Sequence, residues 1–283
     1  LTTLHARLDT VSSAVLIASM TSAPTFRQIF HGIWTMTADV LRQAPRLVLM
    51  SFVILIMAEL AKVSFPETHL GNKALRELID LLRCAALVPI NIALYRLLLL
   101  TEQPSGYRFD AGSSRFRRFL VWSLVFQAFA IPFMLFGADS NGDYRSGTAA
   151  IALLLLLIAE IYVGLRLTLL LPALAAGTED VSWRDAWADS RGRVWRLIKI
   201  LLVPFALMIV TVLPAMMAME NAGFQSDVAD LSNWRAWVRA VFDAAVSTVT
   251  ELLILAAGAS AFVWVGDRVK QGGARNQPPT FSV

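Results

Sequence analysis

ILLVPFALMIVTVLPAMMAM, residues Ile200–Met219, is a run of 20 residues without a charge. About 20 apolar residues, each rising about 1.5 Å along a helix, cross a hydrocarbon layer of about 30 Å. The run reads as a membrane-spanning helix, and it decides the class of the chain. Five more segments read the same way: Arg46–Phe65, Cys84–Leu100, Phe119–Ala138, Gly147–Ala176 and Ala244–Gly266. The expected fold is an all-α integral membrane protein with six transmembrane helices. Prolines at 89, 132, 172, 204 and 214 fall inside these runs, where each removes a backbone donor and invites a kink.

Composition agrees. The 283 residues are 57% hydrophobic and 16% charged, with mean hydropathy +0.60, against about 25% charged residues in a typical soluble domain. The net charge of +4 comes from Lys and Arg beside apolar runs, a pattern that orients a protein in a bilayer rather than one that binds nucleic acid. The single cysteine, Cys84, excludes an internal disulfide, and His5, His31 and His69 lie too far apart for the usual metal-ligand spacings. No metal or cofactor is expected.

The segments just before the spans form a second pattern. Before Ile200 stands SWRDAWADSRGRVWRL, where Ser182 and Asp185 can form a capping box and Trp183 and Trp187 are expected to stack one turn apart. Before the first span stands TFRQIFHGIWTMTADVL, with apolar residues at helical spacing and a capping box from Thr25 and Gln28. Before the third stands SSRFRRFL, shorter and more basic. Arg96 and Arg166 occupy matching places in LYRLLLL and LRLTLLL. The chain thus reads as three hairpins, each preceded by a cytoplasmic, interfacial, amphipathic helix. These occupy residues 25–267, between a flexible tail at 1–24 and a disordered one at 268–283. With the six spans drawn, 16 Lys and Arg fall on one side and seven on the other. That bias places both termini in the cytoplasm, and the expected location is a bacterial inner membrane.

LLLPALAAG at Leu169–Gly177, the pair Ala186–Trp187, and RGRVWRL at Arg191–Leu197 carry a resemblance to a known family. They resemble the membrane domain that some bacterial glycerophosphodiester phosphodiesterases carry beside their catalytic domain, and its stand-alone relatives. The resemblance implies a membrane module. The family's catalytic domain is a soluble barrel with histidines and metal-binding carboxylates, and no soluble segment here has room for it, so no catalytic residue carries over.

Two sets of residues are candidates for function. Charged groups inside a membrane are costly and need a partner, water or an escape to the interface. Glu160, Arg166 and Glu251, with Arg96 and the polar Asn91, form the candidate intramembrane polar site. Glu160 and Arg166 are six residues apart, about 600° of turn, and so do not pair on one helix. Glu160 and Glu251 fall at similar depth and could line one polar cavity. Arg96 can snorkel to the headgroups, and Glu59 reads as a surface pair with Lys62. The second set is candidate lipid-headgroup contacts: Arg115, Arg117, Arg118, Arg184, Arg191, Arg193 and Arg196, with Trp183, Trp187 and Trp195 as an aromatic belt. The small residues Ala256–Ala261 read as a packing face.

These observations point to a non-enzymatic module whose partners are membrane lipids or a second membrane protein. The alternative is a small transporter or channel using polar residues in the fourth and sixth spans. An intramembrane enzyme has no support from HExxH, GxSxG or P-loop patterns, none of which is present.

Overall fold

The computed structural model describes residues 25–65, 70–104, 106–136, 147–177, 181–224, 232–267 and 269. The expected tails at 1–24 and 268–283 lie outside the described residues, apart from Val269. Among the described residues the secondary structure is helical throughout, with no strand. The helices are α1 (Phe26–Gln43), α2 (Pro45–Val63), α3 (Leu70–Leu100), α4 (Ser114–Phe136) and α5 (Gly147–Leu167). There follow α6 (Leu170–Ala176), α7 (Trp183–Ser190), α8 (Val194–Leu207), a π-helical turn at Met208–Val212, α9 (Leu213–Asn221) and α10 (Trp234–Val265).

Four stretches are long and apolar enough to cross a membrane: Gly71–Leu100, Ile151–Ala176, Val194–Asn221 and Trp234–Val265. The prolines divide: helix runs unbroken through Pro89 and Pro132, while the regularity changes near Pro172 and between Pro204 and Pro214. Pro172 has no N–H to offer the carbonyl of Thr168, and there the run breaks into α5 and α6. The Thr168 hydroxyl turns back to the Gly164 carbonyl at 2.7 Å. Between Pro204 and Pro214 the helix widens into the π turn, where the Leu213 N–H reaches the Met208 carbonyl.

Two of the three segments expected to be interfacial helices form separate helices. Both capping boxes are in place: Thr25 with Gln28 opens α1, and Ser182 with Asp185 opens α7. The third basic segment is not a separate helix. Arg115, Arg117 and Arg118 belong to the first turns of α4, with Ser113 accepting from the Phe116 N–H at 3.1 Å. No breaker separates Arg118 from Phe119, so the two are continuous.

Helix α10 is the hub, packing against α1, α2, α3, α6 and α8. Its small residues make this crowding feasible: Ala256, Ala257, Ala259 and Ala261 have no exposed surface. Gly258 faces Tyr95 of α3, and the Ser260 hydroxyl meets the Met36 sulfur of α1 at 3.4 Å. The expected packing face is what the fold contains.

Candidate functional site

Charge collects at two ends of the bundle. At one end, the close of α2 meets the start of α3. Glu59 and Lys62 stand one turn apart on α2, and Asp80 and Arg83 one turn apart on α3. Lys62 Nζ lies 3.1 Å from Glu59 and 2.7 Å from Asp80; Arg83 lies 3.2 Å from Asp80 and 3.6 Å from Glu59. The four form a closed ring of two cations and two anions with no net charge. The Glu59–Lys62 pair expected at the surface is therefore half of a mostly buried cluster. On α10, Arg239 binds Asp243 at 2.8 Å and lies against the Phe224 carbonyl at 3.4 Å.

Two turns further along α10 from Asp243, Glu251 accepts a hydrogen bond from the Ser51 hydroxyl of α2 at 3.4 Å. It is not brought to Glu160. Glu160 is half-buried on α5, which packs against α4, α7 and α8, whereas Glu251 sits between α10 and α2. Among the described contacts the two acids belong to different helix pairs, and α8 is the helix that α5 and α10 share. Asn91 is half-buried on α3.

The other end is built from arginines. Arg166, at the end of α5, donates to the Tyr162 hydroxyl at 2.8 Å and to Ser190 Oγ at 3.3 Å. Its guanidinium lies 5.1 Å from the centre of the Tyr162 ring and 5.2 Å from that of Trp187. The expected partner from another helix is thus α7. Trp187 does not stack on Trp183. It meets Tyr162 edge-on at 5.7 Å, while Arg184 lies over the Trp183 ring. Trp187 faces the bundle and Trp183 is exposed, so the one-turn spacing does not bring their rings together.

Other arginines of this end also bind the chain itself. Arg96 pairs with Glu102 at 2.6 Å and donates to the Ala175 carbonyl near the end of α6 at 3.2 Å. Thr101, in the left-handed region at φ 53°, ends α3 and turns Glu102 back toward it. Arg115 crosses Gly177 so closely that a Cβ there would sit 2.9 Å from its Nη2. Arg118 donates to the Val181 carbonyl. Arg193 bonds the Val265 carbonyl at 2.9 Å and pairs with Asp267 at 2.5 Å, closing the end of α10. Asp189 accepts from the Val269 N–H at 2.9 Å. Arg166, Arg118 and Asp189 together clamp the α7 segment onto the bundle.

The remaining residues of the set point outward. Arg117, Arg184, Arg191 and Arg196 are exposed, as are Trp183 at 47% and Trp195 at 77%. The expected contacts therefore divide: Arg118, Arg193 and Trp187 hold the fold, Arg115 packs across Gly177, and the others form an open basic and aromatic surface. Among the described residues, no group of His, Cys, Asp and Glu is placed to hold a metal ion.

The class this geometry defines is an all-helical membrane protein with a buried ion ring at one end and a stapled arginine collar at the other. Searches of protein-family models, curated proteins and solved structures find nothing that matches this chain.

Proposed function

We propose that the protein is a non-enzymatic membrane module that engages anionic lipid through the α7–α8 segment. The observation that carries this reading is the division within one short stretch. Arg193 and Trp187 are committed inward, while Arg184, Arg191, Arg196, Trp183 and Trp195 are exposed on the same segment. Exposed tryptophans beside arginines suit the headgroup layer, where each basic residue gains about 1 kcal/mol from an anionic surface.

On this reading α2 and α4 join the four long apolar stretches to give six spans in three hairpins. The collar then faces the cytoplasm, with both termini on that side of a bacterial inner membrane, as the excess of Lys and Arg favours. The likeness to the phosphodiesterase membrane domain belongs to this proposal too. A module held together by its own arginines suits a part that presents a membrane surface to a lipid or to a neighbouring membrane protein.

The test is vesicle binding. Protein in mild detergent is presented to vesicles of phosphatidylglycerol or of phosphatidylcholine. The variant Arg191→Gln/Arg196→Gln should lose most of its preference for phosphatidylglycerol. Equal binding by the variant and the parent protein would sink the proposal.

A further inference from the structure

The first two turns of α4 carry a groove of about 290 Å³ lined by Ser114, Arg117, Arg118, Val121 and Trp122. These positions advance by three and four residues, so they lie on one face of the helix. The face changes character within a turn, about 5.4 Å. Ser114, Arg117 and Arg118 form its polar end, and Val121 and Trp122 its apolar end. The Arg118 guanidinium is fixed on the Val181 carbonyl, which makes it a wall. Arg117 is exposed, and no described residue takes its side chain. Val121 is 57% exposed, and Trp122 is braced by Phe126 with ring centres 6.5 Å apart.

We propose that this groove is a site for a single anionic phospholipid, with the lipid phosphate at Arg117 and Ser114 and the first part of an acyl chain over Val121 and Trp122. The inference rests on the lipid-facing reading of the arginine end, since the groove must lie at the headgroup layer. It adds a discrete one-lipid site on a different element from the α7–α8 surface. Charge complementarity selects the anion. The apolar half selects a lipid over a free phosphate, which would leave Val121 and Trp122 uncovered. The apolar half also continues into Phe119–Phe136, which carries no charge.

Native mass spectrometry of the whole protein, stripped of lipid in detergent, tests this. Phosphatidylglycerol, phosphatidylcholine and inorganic phosphate are titrated separately. The first phosphatidylglycerol should bind in a one-to-one adduct, and Arg117→Gln should weaken it about five-fold, the factor for one basic residue at an anionic surface. Val121→Asn, at an exposed position, should weaken the same adduct while leaving the fold intact. Arg191→Gln/Arg196→Gln should reduce later adducts and spare the first. The groove is overturned if Arg117→Gln leaves the first adduct unchanged, or if inorganic phosphate displaces the lipid at equal concentration. If the first adduct disappears only in Arg191→Gln/Arg196→Gln, the groove fails and the α7–α8 reading stands. If phosphatidylglycerol binds no better than phosphatidylcholine in any of the proteins, both fail.

Discussion

The guanidinium carbon of Arg166 lies 5.2 Å from the centre of the Trp187 ring, and this contact couples α5 to the short helix α7. The same side chain bonds Ser190 of α7 and Tyr162 of its own helix. Arg166→Met keeps the length of the stem and removes the cation. It loses two charge-assisted hydrogen bonds and two ring contacts, a cost of about 1–3 kcal/mol. Hydrogen exchange should quicken first in residues 183–190. Unchanged protection there would show that α7 is held by its other contacts alone.

The ion ring predicts an unusual mutant series. Lys62→Met leaves Glu59 and Asp80 to share Arg83, and Asp80→Leu leaves an excess of positive charge. Breaking a buried pair from one side costs about 3–5 kcal/mol. The double variant Lys62→Met/Asp80→Leu restores neutrality, with one cation facing one anion. It should melt above either single variant in detergent. A double variant less stable than both singles would contradict the ring.

Gly258 predicts a compensating pair. A Cβ at this position would sit 2.6 Å from the Tyr95 hydroxyl but 3.5 Å from the nearest ring carbons. Gly258→Ala should therefore destabilise the α3–α10 contact by about 1–3 kcal/mol through overpacking. Tyr95→Phe removes the clashing atom, so the double variant should recover most of the loss. Thermal denaturation of the four proteins reads the coupling directly.

Two arginines separated by one residue should behave differently. Arg193→Gln loses the contacts with Val265 and Asp267 that close α10. The pair is partly exposed, so solvent screening limits the loss to about 1 kcal/mol. Arg191→Gln touches nothing internal and should stay within about 0.5 kcal/mol of the parent. Melting curves check both, and equal losses would contradict the division of the collar.

Local signals were readable and tertiary ones were not. The capping boxes at Thr25 and Ser182 depend on residues three apart, and both stand in the structure. The Ala256–Ala261 packing face was likewise apparent, because small residues in an apolar run have few other uses. Glu59–Lys62 reads as a local pair, but nothing in the spacing says that it closes on Asp80 and Arg83 of the next helix. Nor does the chain announce which arginine faces inward. Arg191 and Arg193 differ because Gly192, at φ 76°, turns the backbone through the left-handed region between them. The place of Arg166 in an apolar run calls for a partner, but Ser190 and Trp187 lie beyond a proline break and a capped linker. In the sequence Glu160 and Glu251 match by depth alone. Depth does not fix which helices are neighbours, and the described contacts seat Glu160 and Glu251 on different helix pairs.

The ring of Glu59, Lys62, Asp80 and Arg83 also works as a vernier between two rods. Its charges alternate along both helices, so sliding α2 past α3 by one turn, about 5.4 Å, would leave charges at each end without a counterpart in a poorly hydrated place. Oily surfaces alone tolerate such a slip, since one apolar side chain replaces another at little cost. The four charges admit one alignment, and through Ser51 and Glu251 that alignment is passed on to α10.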